Sequence, residues 1–293
     1  MKRSIFSIWR LIWPPLLYLG MQAFAAFTYM FFYSVAVALK IVFETSFAAG
    51  QIYDIDAVEV SETVLSSLNV YIPIIISVVS TVFVLSFVFN KEWSAESFWD
   101  HKKLKIPPVL LCFAFGVSLN LFVSGVLTFL PIPDEAQPFD FLLGDNFWLM
   151  FLTIALLAPV LEEIIFRGII QKRLMKMVGI PGAVILQAFM FGVFHLNLLQ
   201  GVYSFFLGII IGTVYFFYMS IWLPIVVHIS FNGISVIISH ISKDAGIDGF
   251  VLTAITAVAF VISVWAMIEL VRMRPKAAGC GGSGNKDITG TEV

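Results

Sequence analysis

Charge is what this chain of 293 residues has least of. Lys, Arg, Asp and Glu together make up 12% of it, and 60% is hydrophobic. A soluble domain carries about 25% charged residues, so a water-exposed globular surface is excluded. With a formal net charge of −2 and no basic cluster, nothing points to nucleic acid. Two cysteines, Cys112 and Cys280, are too few for a disulfide framework or a thiolate metal site. The zinc signature His-Glu-x-x-His is absent, as is the Glu-x-x-His spacing of di-iron bundles. No Gly-x-Ser-x-Gly elbow is present, and Gly233-Ile234-Ser235 offers only a poor serine. There is no internal repeat and no polar domain.

What is present is a series of long apolar runs. Eight are marked: 11–39, 69–89, 106–130, 147–171, 180–199, 201–220, 224–241 and 249–271. Each approaches the roughly 20 residues that cross a bilayer as helix. The expected fold is therefore all-α, a polytopic membrane helix bundle of about eight transmembrane helices. The first run is too long for a signal-peptide core and reads as a retained helix, with Pro14-Pro15 suited to its first turn. Basic residues flank the runs unevenly. Lys2, Arg3, Arg10, then Lys91, Lys102, Lys103 and Lys105, then Lys172, Arg173 and Lys176, and last Arg272, Arg274 and Lys276 fall on one side of an eight-span topology. The opposite loops are acidic, and the positive-inside rule places both termini in the cytoplasm of a multi-pass cell-membrane protein. Four regions follow: N-terminal helices without a motif (1–146), a core carrying the polar motifs (147–241), the last helix and its flank (242–274), and a Gly-rich tail (275–293).

The core is organised around Leu161-Glu162-Glu163-Ile164-Ile165-Phe166-Arg167, three charges inside an apolar run. Each costs about 2.5–3.5 kcal/mol at a membrane-helix centre on insertion scales. Glu163 and Arg167 are i,i+4 neighbours and can pair along one face. Glu162 points away from Arg167, which leaves it for another helix or for chemistry. A bare structural role, a buried charge pair locking two helices, is the competing explanation. Further polar residues recur in later spans: His195 in Phe191-Gly192-Val193-Phe194-His195, and His228 with Asn232, i,i+4, in His228-Ile229-Ser230-Phe231-Asn232. Gly179-Ile180-Pro181 is a natural break, and Glu162 and His195 are equidistant from it, which sets them at similar depth in an antiparallel pair. A carboxylate beside an imidazole can activate water as a general base, and an imidazole with an amide can donate to a developing oxyanion. These are the parts of a metal-free hydrolase acting on an amide.

The ordered set Glu-Glu-x-x-x-Arg, Phe-x-x-x-His and His-x-x-x-Asn resembles the CPBP family of CAAX proteases and bacteriocin-processing enzymes, also called the Abi family. The resemblance covers roughly 147–240. It implies an intramembrane glutamic endopeptidase without cofactor or metal. Glu162 would activate water with His195 beside it, His228 and Asn232 would form the oxyanion hole, and Glu163, Arg167 and Phe191 would fill the remaining motif positions. The partners implied are the lipid bilayer and a peptide or protein substrate, with prenylated proteins and bacteriocin or signal precursors as the known kinds. Two other readings compete: a non-catalytic immunity or scaffold protein using the polar set as helix glue, and a transporter using it as a proton path. No inverted repeat supports the transporter.

Overall fold

The structure is a computed structural model that describes residues 2–49, 71–88, 105–131, 146–241 and 248–275. These residues form seven helices: α1 (Lys2–Ala49), α2 (Tyr71–Val88), α3 (Ile106–Thr128), α4 (Phe147–Phe194), α5 (Leu198–Tyr218), α6 (Trp222–Ile241) and α7 (Gly249–Met273). Among the described residues there is no strand. Six of the helices are long and apolar enough to cross a membrane, and the apolar part of α2, Ile72–Ser86, is shorter. The chain is a polytopic helical membrane protein. Two of the eight runs expected from sequence, 147–171 and most of 180–199, fall in α4, as two limbs joined at the non-helical Gly179. The glycine-rich tail lies outside the described residues.

Where the runs join, α4 is bent. Gly179 has φ 74° and ψ 177°, a conformation open to glycine, and Pro181 follows. The limb before the break is itself unusual. Ala158–Glu163 is α-helical, but Phe151–Leu157 and Ile164–Gln171 are wound as π-helix, with i→i+5 hydrogen bonds.

Prolines set two of the interhelical ties. The helix expected to begin near Leu11 begins at Lys2, so Pro14 and Pro15 sit inside α1 and not in its first turn. Charged Lys2 and Arg3 lower the hydropathy of that stretch without opposing helix. Pro14 cannot donate to Arg10 O, four residues back, and Arg173 Nη1 takes that carbonyl at 2.8 Å. Pro159 repeats the device in a different register. Ala158 N–H donates five residues back to Thr153 O, so the next rung would run from Pro159 to Ile154. Pro159 has no N–H, and Asn232 Nδ2 reaches over from α6 to donate to Ile154 O at 3.0 Å.

Packing forms two main apolar clusters. One joins α1, α2 and α4 through Leu11, Tyr18, Val78, Leu85, Leu161, Ile165 and Phe166. The other joins α3, α5, α6 and α7 through Cys112, Phe115, Ile211, Val214, Val227 and Ala266. Close approach of α3 to α6 depends on Gly116, where a Cβ would stand 2.0 Å from Ser230 Oγ and 2.3 Å from Val227 O. On α5, Gly208 and Gly212 form the small-xxx-small spacing that lets membrane helices touch backbone to backbone. A Cβ at Gly208 would lie 3.0 Å from Ala188 Cα. α7 is held on the outside by Ser263 Oγ to Ser118 Oγ at 3.0 Å and by Tyr218 OH donating to Leu270 O at 2.8 Å.

Candidate active site

The charged triplet of α4 divides as its spacing suggests. Glu163 and Arg167 are both fully buried, and Arg167 Nη1 donates to Glu163 Oε1 at 2.8 Å. The guanidinium also lies over the Phe191 ring, 4.7 Å from its centroid, and reaches Gly208 O at 3.5 Å. One π turn on, Gln171 Nε2 donates to Gly212 O at 2.8 Å, and Gln187 Nε2 donates to Gly208 O at 2.8 Å. These side-chain donors of α4 are thus taken by backbone carbonyls that the glycines of α5 leave uncovered, while Arg167 Nε, Gln171 Oε1 and Gln187 Oε1 are buried without a partner among the described residues.

Glu163 has a second partner. His228 of α6 brings Nδ1 to 2.8 Å from Glu163 Oε1, and its Nε2 lies 3.7 Å from Glu162 Oε2. A carboxylate only accepts, so Nδ1 carries the proton, and Glu163 fixes the ring's orientation and tautomer. The imidazole that bridges the two glutamates is therefore His228, whereas sequence register pairs Glu162 with His195. His195 caps the end of α4. Its Nδ1 donates to Phe191 O at 2.8 Å, which leaves Nε2 as the acceptor facing Ser204 Oγ at 3.5 Å. Phe191 sits at the centre of the arrangement. Its ring meets His195 at 4.8 Å and His228 at 5.8 Å, both edge-on, with Arg167 on its face.

Glu162, His195, His228 and Asn232 all line one cavity of about 750 Å³ between the two apolar clusters. Glu162 is 12% exposed there and Glu163 is 0%, so one glutamate is locked in protein and its neighbour faces space. Asn232 is also on the wall, but its amide holds Ile154 O. Leu196, with φ 54°, makes the tight turn after His195, and Asn197 caps α5 by accepting from Gln200 N–H at 2.9 Å. Among the described residues no three His, Cys, Asp or Glu side chains gather in a way that could hold a metal.

Sequence reasoning passed over several residues of this site. Tyr18, Asn120 and Tyr203 line the cavity, and Tyr18 and Tyr203 lie within electrostatic reach of Glu162. Gln171 was readable, since it continues the i,i+4 stripe of Glu163 and Arg167, and Gly208-Ile-Ile-Ile-Gly212 is a helix-contact motif in plain view. Tyr18 and Tyr203 carry no local signal, because aromatic residues are common in membrane helices.

Fold and site together define a multi-pass membrane protein with a buried carboxylate–imidazole centre opening on a cavity. Residues 144–234 match the model of the Rce1-like family, described as type II CAAX prenyl endopeptidase Rce1-like. The matched residues contain all three motifs, in agreement with the resemblance that those motifs carry. No curated protein and no solved structure matches the chain.

Proposed function

We propose that this chain is an intramembrane endopeptidase that hydrolyses a peptide bond of a membrane-associated protein or peptide with water activated by Glu162. The observation that carries this reading is the division of labour between adjacent glutamates. Glu163 is fully buried and held by Arg167 and His228, while Glu162 faces the cavity. A structural pair needs one carboxylate. The second, next to it and open, is placed to take a proton from water. His195 shares the same cavity wall and assists. His228, anchored through Nδ1, turns Nε2 toward Glu162, and the doubly protonated ring can donate to a developing oxyanion. Asn232 has a second amide hydrogen beyond the one engaged on Ile154 O, and that hydrogen serves the same oxyanion. The family description supplies prenylated C-terminal sequences as one substrate class, and bacteriocin or signal precursors are another. The test is the peptide pool released by membranes containing the wild-type chain or Glu162→Ala. Peptides that vanish in the variant support proteolysis. Identical pools put the non-catalytic immunity or scaffold role ahead.

The reaction needs no metal, because glutamate and imidazole together supply base and proton donor. Cleavage in detergent is expected to survive EDTA and phenanthroline at full rate. Loss of rate that zinc restores would instead make Glu162, His195 and His228 ligands.

The eight-span topology in the cell membrane, with both termini cytoplasmic, rests on the asymmetry of basic flanks. Reporter fusions at Pro275 and Gln51 are expected to report inside and outside respectively. A Pro275 fusion reporting outside would end the even count.

A further inference from the structure

The family match begins at residue 144, but the cavity does not. α3 contributes Asn120 and Ser124 to the lining of the cavity that Glu162 and Asn232 also line. Asn120 is 3% exposed in an otherwise apolar helix, where a carboxamide is costly unless hydrogen-bonded. Amides inside membrane proteins ordinarily bond to a neighbouring helix. Asn120 does not. Its Oδ1 accepts from Ser124 Oγ on its own helix at 3.4 Å, and among the described residues its amide nitrogen has no hydrogen-bond partner. Nor is that nitrogen sealed off, since it is not among the fully buried atoms left without partners.

Several other polar groups that line the cavity are engaged. Thr153 Oγ1 donates to Leu149 O at 2.7 Å, Ser239 Oγ donates to Val236 O at 3.0 Å, and Asn232 Nδ2 holds Ile154 O. The wall from α1 and α2 offers apolar surface at Leu19, Ala26, Met30 and Ile74, interspersed with Tyr18, Gln22, Tyr29 and Ser77. A peptide lying in such a cavity can bury side chains against α1 and α2, but its backbone carbonyls need donors in place of water. An uncharged N–H donor suits a carbonyl and offers nothing to a cation.

We propose that Asn120 is a substrate-binding residue whose Nδ2 donates to a main-chain carbonyl of the bound peptide, so that a helix outside the matched segment completes the site. This rests on the protease reading above. The experiment uses the full-length chain and begins with the peptide pools of wild-type, Glu162→Gln and Asn120→Leu membranes. A precursor whose cleavage depends on Glu162 is then resynthesised and used with purified proteins. Leu keeps the branching of Asn at Cγ, in a larger side chain, and removes the donor. With thermal stability unchanged, KM is expected to rise about tenfold for the loss of one hydrogen bond, with kcat within about twofold. A KM within twofold of wild type, or a fall in kcat at unchanged KM, overturns the proposal while leaving the protease reading intact. If wild type and Glu162→Gln release the same peptides, the protease reading itself falls and this inference with it. Should Asn120→Leu fail to accumulate, Asn120→Ala carries the same comparison.

Discussion

Glu162→Gln is expected to yield a folded, membrane-inserted protein that has lost cleavage. Gln retains the shape of Glu and its capacity for hydrogen bonds, so the packing of α4 in the cavity wall is preserved. It cannot take a proton from water, and a positioned general base contributes about 10²–10⁴ in rate. The structure adds a reason to expect little structural damage. Glu162 is not the hydrogen-bond partner of Arg167, and its nearest imidazole nitrogen, His228 Nε2, is at 3.7 Å, outside hydrogen-bond range. His228 keeps its 2.8 Å anchor to Glu163 in the variant. The measurement is hydrolysis by purified proteins of matched thermal stability, with wild type beside Glu162→Gln. Activity within about threefold of wild type would remove Glu162 as base and favour a binding or scaffold protein. Asn232→Ala is a less clean probe than the proposed oxyanion role suggests, because it also strips the partner from the carbonyl that Pro159 leaves free. Leaving a buried carbonyl unsatisfied costs about 1–3 kcal/mol, so a loss of rate there mixes catalysis with folding.

The tie of Asn232 to Ile154 O illustrates what the sequence can and cannot convey. Helix spacing alone pairs Glu163 with Arg167, and the pair forms at 2.8 Å. Gly179-Ile180-Pro181 reads as a break, and the backbone turns at Gly179. Both are local, decided within one turn of chain. The tie between Asn232 and Ile154 is not local. It depends on Pro159 lying in an i→i+5 register, and no residue pattern announces that α4 is wound as π-helix on both sides of Ala158–Glu163. Which histidine reaches the glutamates is equally a matter of tertiary placement. Counting residues from Gly179 sets His195 at the depth of Glu162. It cannot show that His195 is turned to Phe191 O and Ser204 while α6 brings His228 between the carboxylates. Asn120 and Tyr18 were illegible for a simpler reason. One polar atom in a long apolar run is the usual mark of helix–helix contact, and only the cavity shows that these two face elsewhere.

The second large effect belongs to Arg167. The guanidinium is fully buried, paired with Glu163 and stacked on Phe191, and it cannot shed its proton to escape an apolar setting. Glu163→Gln therefore strands a permanent charge, and breaking a buried pair from one side costs about 3–5 kcal/mol. It also weakens the anchor that orients His228, so the surviving protein is expected to be impaired in cleavage as well. Arg167→Gln leaves Glu163 with His228 but without its stronger counter-charge, and is expected to destabilise too. Arg167→Lys is no repair, since an ammonium lacks the planar fork that spans Glu163 and Gly208 O and stacks on Phe191. Removing both charges together takes away the pair and the reason for the penalty. Glu163→Gln with Arg167→Gln should then be more stable than the sum of the single losses predicts, by about 1–3 kcal/mol of coupling. Thermal unfolding in detergent and accumulation in the membrane measure the stability side, and hydrolysis by the purified proteins measures the other. The double variant is expected to regain accumulation without regaining full activity, because a neutral Gln at 163 holds His228 less firmly than a carboxylate. Strict additivity in stability would mean that the two side chains do not act as a pair. Full activity in the double variant would mean that Glu163 contributes nothing to His228, and that Glu162 works alone.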